Sequence, residues 1–206
     1  MPSFLLAADA DTRPDRPHWS LELKGGAFFP GTADWSKYYG SSYTGEYGAA
    51  LSYKVTRQLE VGLEGSYSKA SGQGQQLEHA QVAGSATNEH APLDLFVLAR
   101  GIFTENQLLV PYVAAGYTRM FYRLEVADQT GTTQGSVNGY HGRAGLQLLL
   151  DGMDSEASKN LYLDTGIYHT YFFAEGKYTR AMADTVSTGA VNIGGISCLG
   201  GFLFEF

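Results

Sequence analysis

Between residues 59 and 68 apolar and polar side chains alternate without a break. Leu59, Val61, Leu63, Gly65 and Tyr67 take one parity; Glu60, Gly62, Glu64, Ser66 and Ser68 take the other. A period of two puts the sets on opposite faces of a β-strand. The pattern recurs in residues 19–29, where Trp19, Leu21, Leu23, Ala27 and Phe29 oppose Ser20, Glu22, Lys24 and Gly26. It recurs again in residues 45–55, with Tyr47, Ala49, Leu51, Tyr53 and Val55 against Glu46, Gly48, Ala50, Ser52 and Lys54. The last strand, 191–206, carries Cys198, Phe202, Phe204 and Phe206 on one face. A soluble domain rarely keeps an apolar stripe to its final residue. A membrane barrel requires one, because its lipid-facing side chains alternate along every strand.

Four further strands complete the set. Residues 93–103 are apolar on both faces except for Asp94 and Arg100, which share one. In residues 108–124, Val110, Tyr112, Ala114, Met120 and Tyr122 form the apolar, outward face, opposite Arg119 and Arg123. Residues 137–150 send Tyr140, Ala144, Leu146, Leu148 and Leu150 outward, with His141, Arg143 and Gln147 inward. Residues 161–173 place Leu161, Leu163, Ile167, His169, Tyr171 and Phe173 on the outward face, opposite Asp164 and Thr170. Eight strands of this length suffice to cross an outer membrane at a tilt. The connections 30–43, 70–90, 125–136 and 174–188 are long, and those at 56–58 and 104–107 are short. The turn at 151–160 is intermediate. This rhythm suits long external loops and short periplasmic turns. No helix and no linker are expected. The predicted fold is all-β, an eight-stranded antiparallel up-and-down transmembrane β-barrel over residues 18–206, with both termini periplasmic. Residues 1–17 read as a periplasmic leader or a signal-peptide remnant, since Ala8-Asp9-Ala10 fits a cleavage pattern.

Composition agrees with this reading. The 206 residues include 26 Gly, 14 Tyr, 11 Phe and only 6 Pro, a balance that favours β-structure with aromatic girdles over disorder. Mean hydropathy is −0.18, and no apolar run approaches the roughly 20 residues of a membrane helix. The net charge of −7, with scattered basic residues, gives no nucleic-acid footprint. The single Cys198 permits no internal disulfide.

The polar parities, collected, describe a lumen. They hold Glu22, Glu46, Glu60, Glu64, Asp94, Asp164 and Glu205 against Lys24, Lys54, Arg100, Arg119, Arg123 and Arg143, with His141 beside them. Seven acids against six bases suit a self-neutralising network, because an unpaired charge in a narrow interior is costly. An eight-stranded barrel is just wide enough for its own side chains, so a plug of ion pairs is expected rather than an open channel. A lipocalin-like barrel has the opposite sidedness. The Tyr and Phe residues near strand ends on the apolar face, and the outward terminal Phe, oppose it.

The ending, with Gly201, Phe204 and the terminal Phe206, resembles the C-terminal signal by which outer-membrane barrels are recognised by their assembly machinery, departing from it at Leu199. The run Val110-Pro111-Tyr112-Val113-Ala114-Ala115-Gly116-Tyr117 resembles the mid-barrel strand of the small OmpX/OmpW/OmpA-type barrels. The resemblance implies a Gram-negative outer-membrane protein and is nearly silent on activity, since members serve as adhesins, small channels, anchors and lipid enzymes; the residues themselves lead us to expect no enzymatic activity and no cofactor. Its implied partners are outer-membrane lipid and lipopolysaccharide, the assembly machinery and a surface ligand held by the long loops. The expected role is a structural or loop-displaying scaffold; the alternative is a narrow pore or a lateral path for small apolar solutes like that of OmpW-type barrels.

Sharper chemistry is thin. His169, read as outward, is similar to the catalytic histidine of outer-membrane lipid A deacylases. The matching position two residues on is Tyr171 instead of a serine, and Glu175 is the acid nearby, so the mechanism lacks its nucleophile. His141 and Arg143, with Asp94, Arg100 and Asp164, read equally as a proton-sensitive gate, a small-anion site or structural ion pairs. Glu78, His79, Glu89 and His90 are spaced too loosely for a metal and read as a solvated loop. Asp151-Gly152-Met153-Asp154 lacks the other ligands of a calcium loop and reads as a turn. Tyr38, Tyr39, Tyr43 and Tyr178 give the loops rigid aromatics that suit surface contacts and equally suit outer-leaflet packing.

Overall fold

A computed structural model describes residues 17–32, 35–73, 85–104, 107–126, 132–152, 155–185 and 189–206. The leader at residues 1–16, Glu78, His79, Met153 and Asp154 lie outside them.

The strands are β1 (Trp19–Pro30), β2 (Thr44–Lys54), β3 (Leu59–Gln73), β4 (Ser85–Arg100), β5 (Leu109–Val126), β6 (Thr132–Leu149), β7 (His169–Thr185), β8 (Gly189–Asn192) and β9 (Gly195–Glu205). All pair antiparallel. β8 and β9 are one strand interrupted at Ile193 and Gly194, so the wall has eight staves. It runs β1 to β7 in sequence, then β9, which closes on β1 with Ser20 opposite Glu205 and Pro30 opposite Gly195. Closure leaves no edge along the body of the wall, the condition for a sheet to stand in lipid. Chain ends meet at one rim, where the Phe206 carbonyl accepts from the backbone of His18 and Trp19.

Faces follow the alternation on β1, β2, β3, β4, β6 and β9. Leu23, Leu51, Leu63, Leu95, Leu146 and Phe202 are exposed on the outer wall, while Glu22, Glu64, Asp94 and Arg143 are buried inside. Trp19 and Tyr53 ring the terminal rim, their ring centroids 5.2 Å apart.

Two staves differ from the sequence reading. On β5 the parities are reversed: Val110, Tyr112, Ala114 and Met120 are buried inside, while Val113, Tyr117 and Phe121 face out. Arg119 and Arg123 therefore stand on the outer wall, where Arg119 bonds Asn138 and Ser136 of β6 and Arg123 pairs with Glu125. Bulky aromatics are useful inside because guanidinium groups stack on them.

The seventh stave begins later than predicted. Residues expected at its start instead form α2 (Ser155–Thr165), which ends at Gly166 with φ 75°. The Gly166 N–H closes on the Tyr162 carbonyl at 2.9 Å, a left-handed cap that glycine adopts without steric cost. Asp164 is thus an exposed helix residue and not a lumen charge. The stave continues to Thr185 through the segment read as a long loop, and Tyr171 and Phe173 turn inward. A second short helix, α1 (Trp35–Tyr39), lies in the first long connection.

Stave lengths are unequal. β5 and β6 have 18 residues each and β2 has 11. At about 3.4 Å per residue and a tilt of about 45°, that is about 43 Å of height against about 26 Å. A lipid-facing band is about 25 Å tall. One side of the wall therefore rises beyond it, away from the termini.

Candidate functional site

The lumen is filled by side chains in two charged layers with an aromatic layer between them. Nearest the termini, Arg100 reaches Glu205, Glu60 at 3.1 Å and the Gln147 amide oxygen at 2.5 Å. Lys54 adds a 2.6 Å pair to Glu205, and the Ser52 hydroxyl donates to Glu60 at 2.6 Å. Each carboxylate takes more than one donor, which offsets the cost of burying it.

The second layer is larger. Lys24 meets Glu64 at 2.7 Å, and Glu22 and Glu175 at 3.0 Å. Arg143 meets Glu22 at 2.7 Å, Glu175 at 3.0 Å and Glu64 at 3.4 Å. Lys177 ties Glu64 at 2.7 Å to Asp94 at 2.5 Å. The Tyr112 hydroxyl donates to Glu175 at 2.7 Å. Farther along, Glu46 accepts from the hydroxyls of Ser66 at 2.7 Å and Ser197 at 2.5 Å. His141 lies 3.0 Å from Thr118 Oγ1 and 3.5 Å from Asp94.

Between the layers pack Phe96, Leu98, Tyr112, Tyr171, Phe173 and Leu203. Cations lie over their rings: Arg143 is 4.5 Å from the Phe96 centroid, Arg100 is 5.0 Å from Tyr171 and Lys24 is 5.8 Å from Phe173. These contacts favour charge beside low-dielectric surface. At the far mouth, Trp35 of α1 is buried, stacked on Tyr39 at 4.1 Å and 6.3 Å from the His90 ring. Phe28 meets the His90 ring edge-on, 5.9 Å away.

The structure places Glu22, Lys24, Glu60, Glu64, Asp94, Arg100, His141 and Arg143 inside the barrel and leaves Arg119, Arg123 and Asp164 outside. Sequence reasoning missed Glu175 and Lys177, the buried charges of the β7 stave among the described residues. Their signal is present: Tyr171, Phe173, Glu175, Lys177 and Thr179 alternate with Phe172, Ala174, Gly176 and Tyr178. The described lumen then holds seven acids, Glu22, Glu46, Glu60, Glu64, Asp94, Glu175 and Glu205, and five bases, Lys24, Lys54, Arg100, Arg143 and Lys177.

His169 is not on the lipid face. It shares the inward parity of Tyr171 at the terminal rim, where its Nδ1 lies 2.6 Å from Asp151 Oδ2, and Asp151 Oδ1 accepts the Thr170 N–H at 3.0 Å. Asp151 thereby fastens the start of β7, and the resemblance to a lipid-facing catalytic histidine does not hold. Glu89 and His90 belong to β4 rather than a loop, and they point to opposite faces. Glu89 holds Lys69 at 3.0 Å and the Tyr67 hydroxyl at 2.9 Å, while His90 is buried under Trp35.

No family model matches the chain, and no curated protein matches it by sequence. Solved structures do. The neisserial surface protein A matches with TM-score 0.57 and 11% identity over 91% of this chain and 97% of its own. Ail, the attachment invasion locus protein of Yersinia pestis, matches with TM-score 0.51 and 11% identity over 93% and 100%. The N-terminal β-barrel domain of Pseudomonas aeruginosa OprF matches with TM-score 0.50 and 16% identity over 93% and 98%. Identities this low carry architecture alone: the chain has the fold of the small eight-stranded outer-membrane β-barrels.

Proposed function

We propose that this protein is an integral barrel of the bacterial outer membrane that works as a closed scaffold, displaying its far rim to surface ligands. The carrying observation is the filled lumen, in which Lys24, Arg143 and Lys177 bridge acids from several staves. In this reading the termini and short turns face the periplasm, the taller side of the wall faces outward, and Gly201, Phe204 and Phe206 address the assembly machinery. The display role draws support from β6, whose residues 132–138 are paired to β5 on one edge while the pairing to β7 on the other edge ends at Gly139 opposite Ala181. Among the described residues that stretch keeps one open backbone edge, a surface that extended peptides can pair with.

The test is electrical. Purified, refolded protein inserted into planar bilayers at high salt is expected to give no conductance steps. Regular unitary steps would favour the pore reading and overturn the scaffold.

A further inference from the structure

On three consecutive staves the outer wall changes character at the same point. On β5 the outward residues Val113 and Ala115 lead to Tyr117 and then Arg119; on β7, Phe172, Ala174 and Gly176 lead to Tyr178 and then Arg180. Between them on β6, Leu146, Ala144 and Gly142 lead to Tyr140 and then Asn138. Tyrosine at the edge of an apolar band marks an interface between hydrocarbon and headgroups. The residues just past it on this sector are Arg, Asn and Arg.

The two guanidinium groups converge on β6 from either side. Arg119 donates to Asn138 and, at 2.6 Å, to Ser136 Oγ; Arg180 donates to the Tyr140 hydroxyl at 3.3 Å. Asn138 and Tyr140 are successive outward positions, about 7 Å apart on a strand. The ion pairs among the described residues involve neither arginine, whereas the outward cations Lys69 and Arg123 are held by Glu89 and Glu125. Both arginines hold neutral partners on a chain whose net charge is −7.

We propose that Arg119, Arg180, Asn138 and Tyr140 form a binding site for the phosphate of an outer-leaflet lipid headgroup, such as a phosphorylated lipid A. A guanidinium fork suits phosphate oxygens. Directly toward the termini lies bare apolar wall for the acyl chains, so the matching ligand is an amphiphile with its anion at tyrosine level. The site rests on the orientation proposed above, in which this rim faces outward.

The probes are bisphosphorylated lipid A, the same lipid with its phosphates removed, and inorganic phosphate, offered to protein folded in neutral detergent and read by native mass spectrometry. Loss of charge-assisted contacts in R119Q/R180Q is expected to weaken bisphosphorylated lipid A binding about tenfold or more. R57Q, in a turn at the terminal rim, is expected to leave it unchanged. Unaltered mobility on unheated gels shows that the double variant is folded. Equal binding by wild type and double variant, or equal binding of the dephosphorylated lipid, overturns the site. Inorganic phosphate binding as tightly as the lipid overturns the lipid as ligand. Micelles have no sidedness, so the orientation is tested apart, with a membrane-impermeant maleimide on intact cells carrying S41C in a C198S background. Labelling there supports the orientation, and its absence overturns the orientation while leaving the micelle result standing.

Discussion

The Arg100 guanidinium crosses the lumen to the Glu205 carboxylate, joining β4 to β9, the stave opposite it in the closed wall. The pair thus spans the lumen near the terminal rim, with Glu60, Lys54 and Gln147 as its flanks. Removing one member of a buried ion network leaves the rest uncompensated, at about 3–5 kcal/mol. R100M is expected to lower unfolding stability in detergent by that amount, read from urea midpoints. R100M/E205M is expected to lose less than the two single variants together, because the pair is coupled. Strict additivity would mean that the contact contributes nothing specific.

In the closed-scaffold reading proposed above, the second charged layer is the barrier to ions. R143A/K177A removes two bases and leaves seven acids facing three, so any water path it opens carries excess negative charge. In planar bilayers, where wild type is expected to be silent, this variant is expected to give small steps that prefer cations. Reversal potentials under a salt gradient check the sign. Silence from the variant would move the barrier to the aromatic layer around Phe96 and Phe173.

The rule that charge is inside and grease outside serves β1 and β3 well, and its failures have physical causes. Arg143 needs aromatic faces as well as carboxylates, so Tyr112 and Phe96 belong in the lumen although both look lipid-facing by composition. Above the lipid band the outer wall meets water or headgroups, so Arg119 and Arg123 sit outside at no penalty. The upper parts of β3, β4 and β6 are polar on both faces; hydrophobic alternation is silent there, and these stretches resemble loops. For α2 the missed signal is Gly166, a helix stop that follows a Ser- and Glu-containing start at Ser155 and Glu156. Lys177 and Glu175 were hidden by the same error, because a strand begun too early makes its true body look like a loop.

Gly201 belongs to the ending that resembles an assembly signal, and the structure gives it a separate reason to lack a side chain. A Cβ there would stand 1.9 Å from the Leu23 carbonyl oxygen and 2.8 Å from Lys24 Cα, at the seam where β9 closes on β1. At Gly176, on the neighbouring stave and opposite Cys198, a Cβ meets nothing within 4 Å. G201A is expected to cost about 1–3 kcal/mol through overpacking, and G176A to stay within about 0.5 kcal/mol of wild type. Urea unfolding of protein refolded without any assembly factor separates this packing effect from recognition by the machinery.

Cys198 is exposed on the outer wall between Ala27 of β1 and Gly176 of β7. From the terminal Phe206 it lies eight residues up the stave, about 19 Å of height at a tilt of about 45°. That depth is inside an apolar band about 25 Å tall. In lipid vesicles the thiol is therefore expected to react with an apolar maleimide dissolved in the bilayer and to resist a charged one. In the unfolded chain in urea both reagents are expected to label it. Mass spectrometry of the adducts reads the difference. Rapid labelling by the charged reagent in vesicles would place this face in water and reverse the sidedness of the wall.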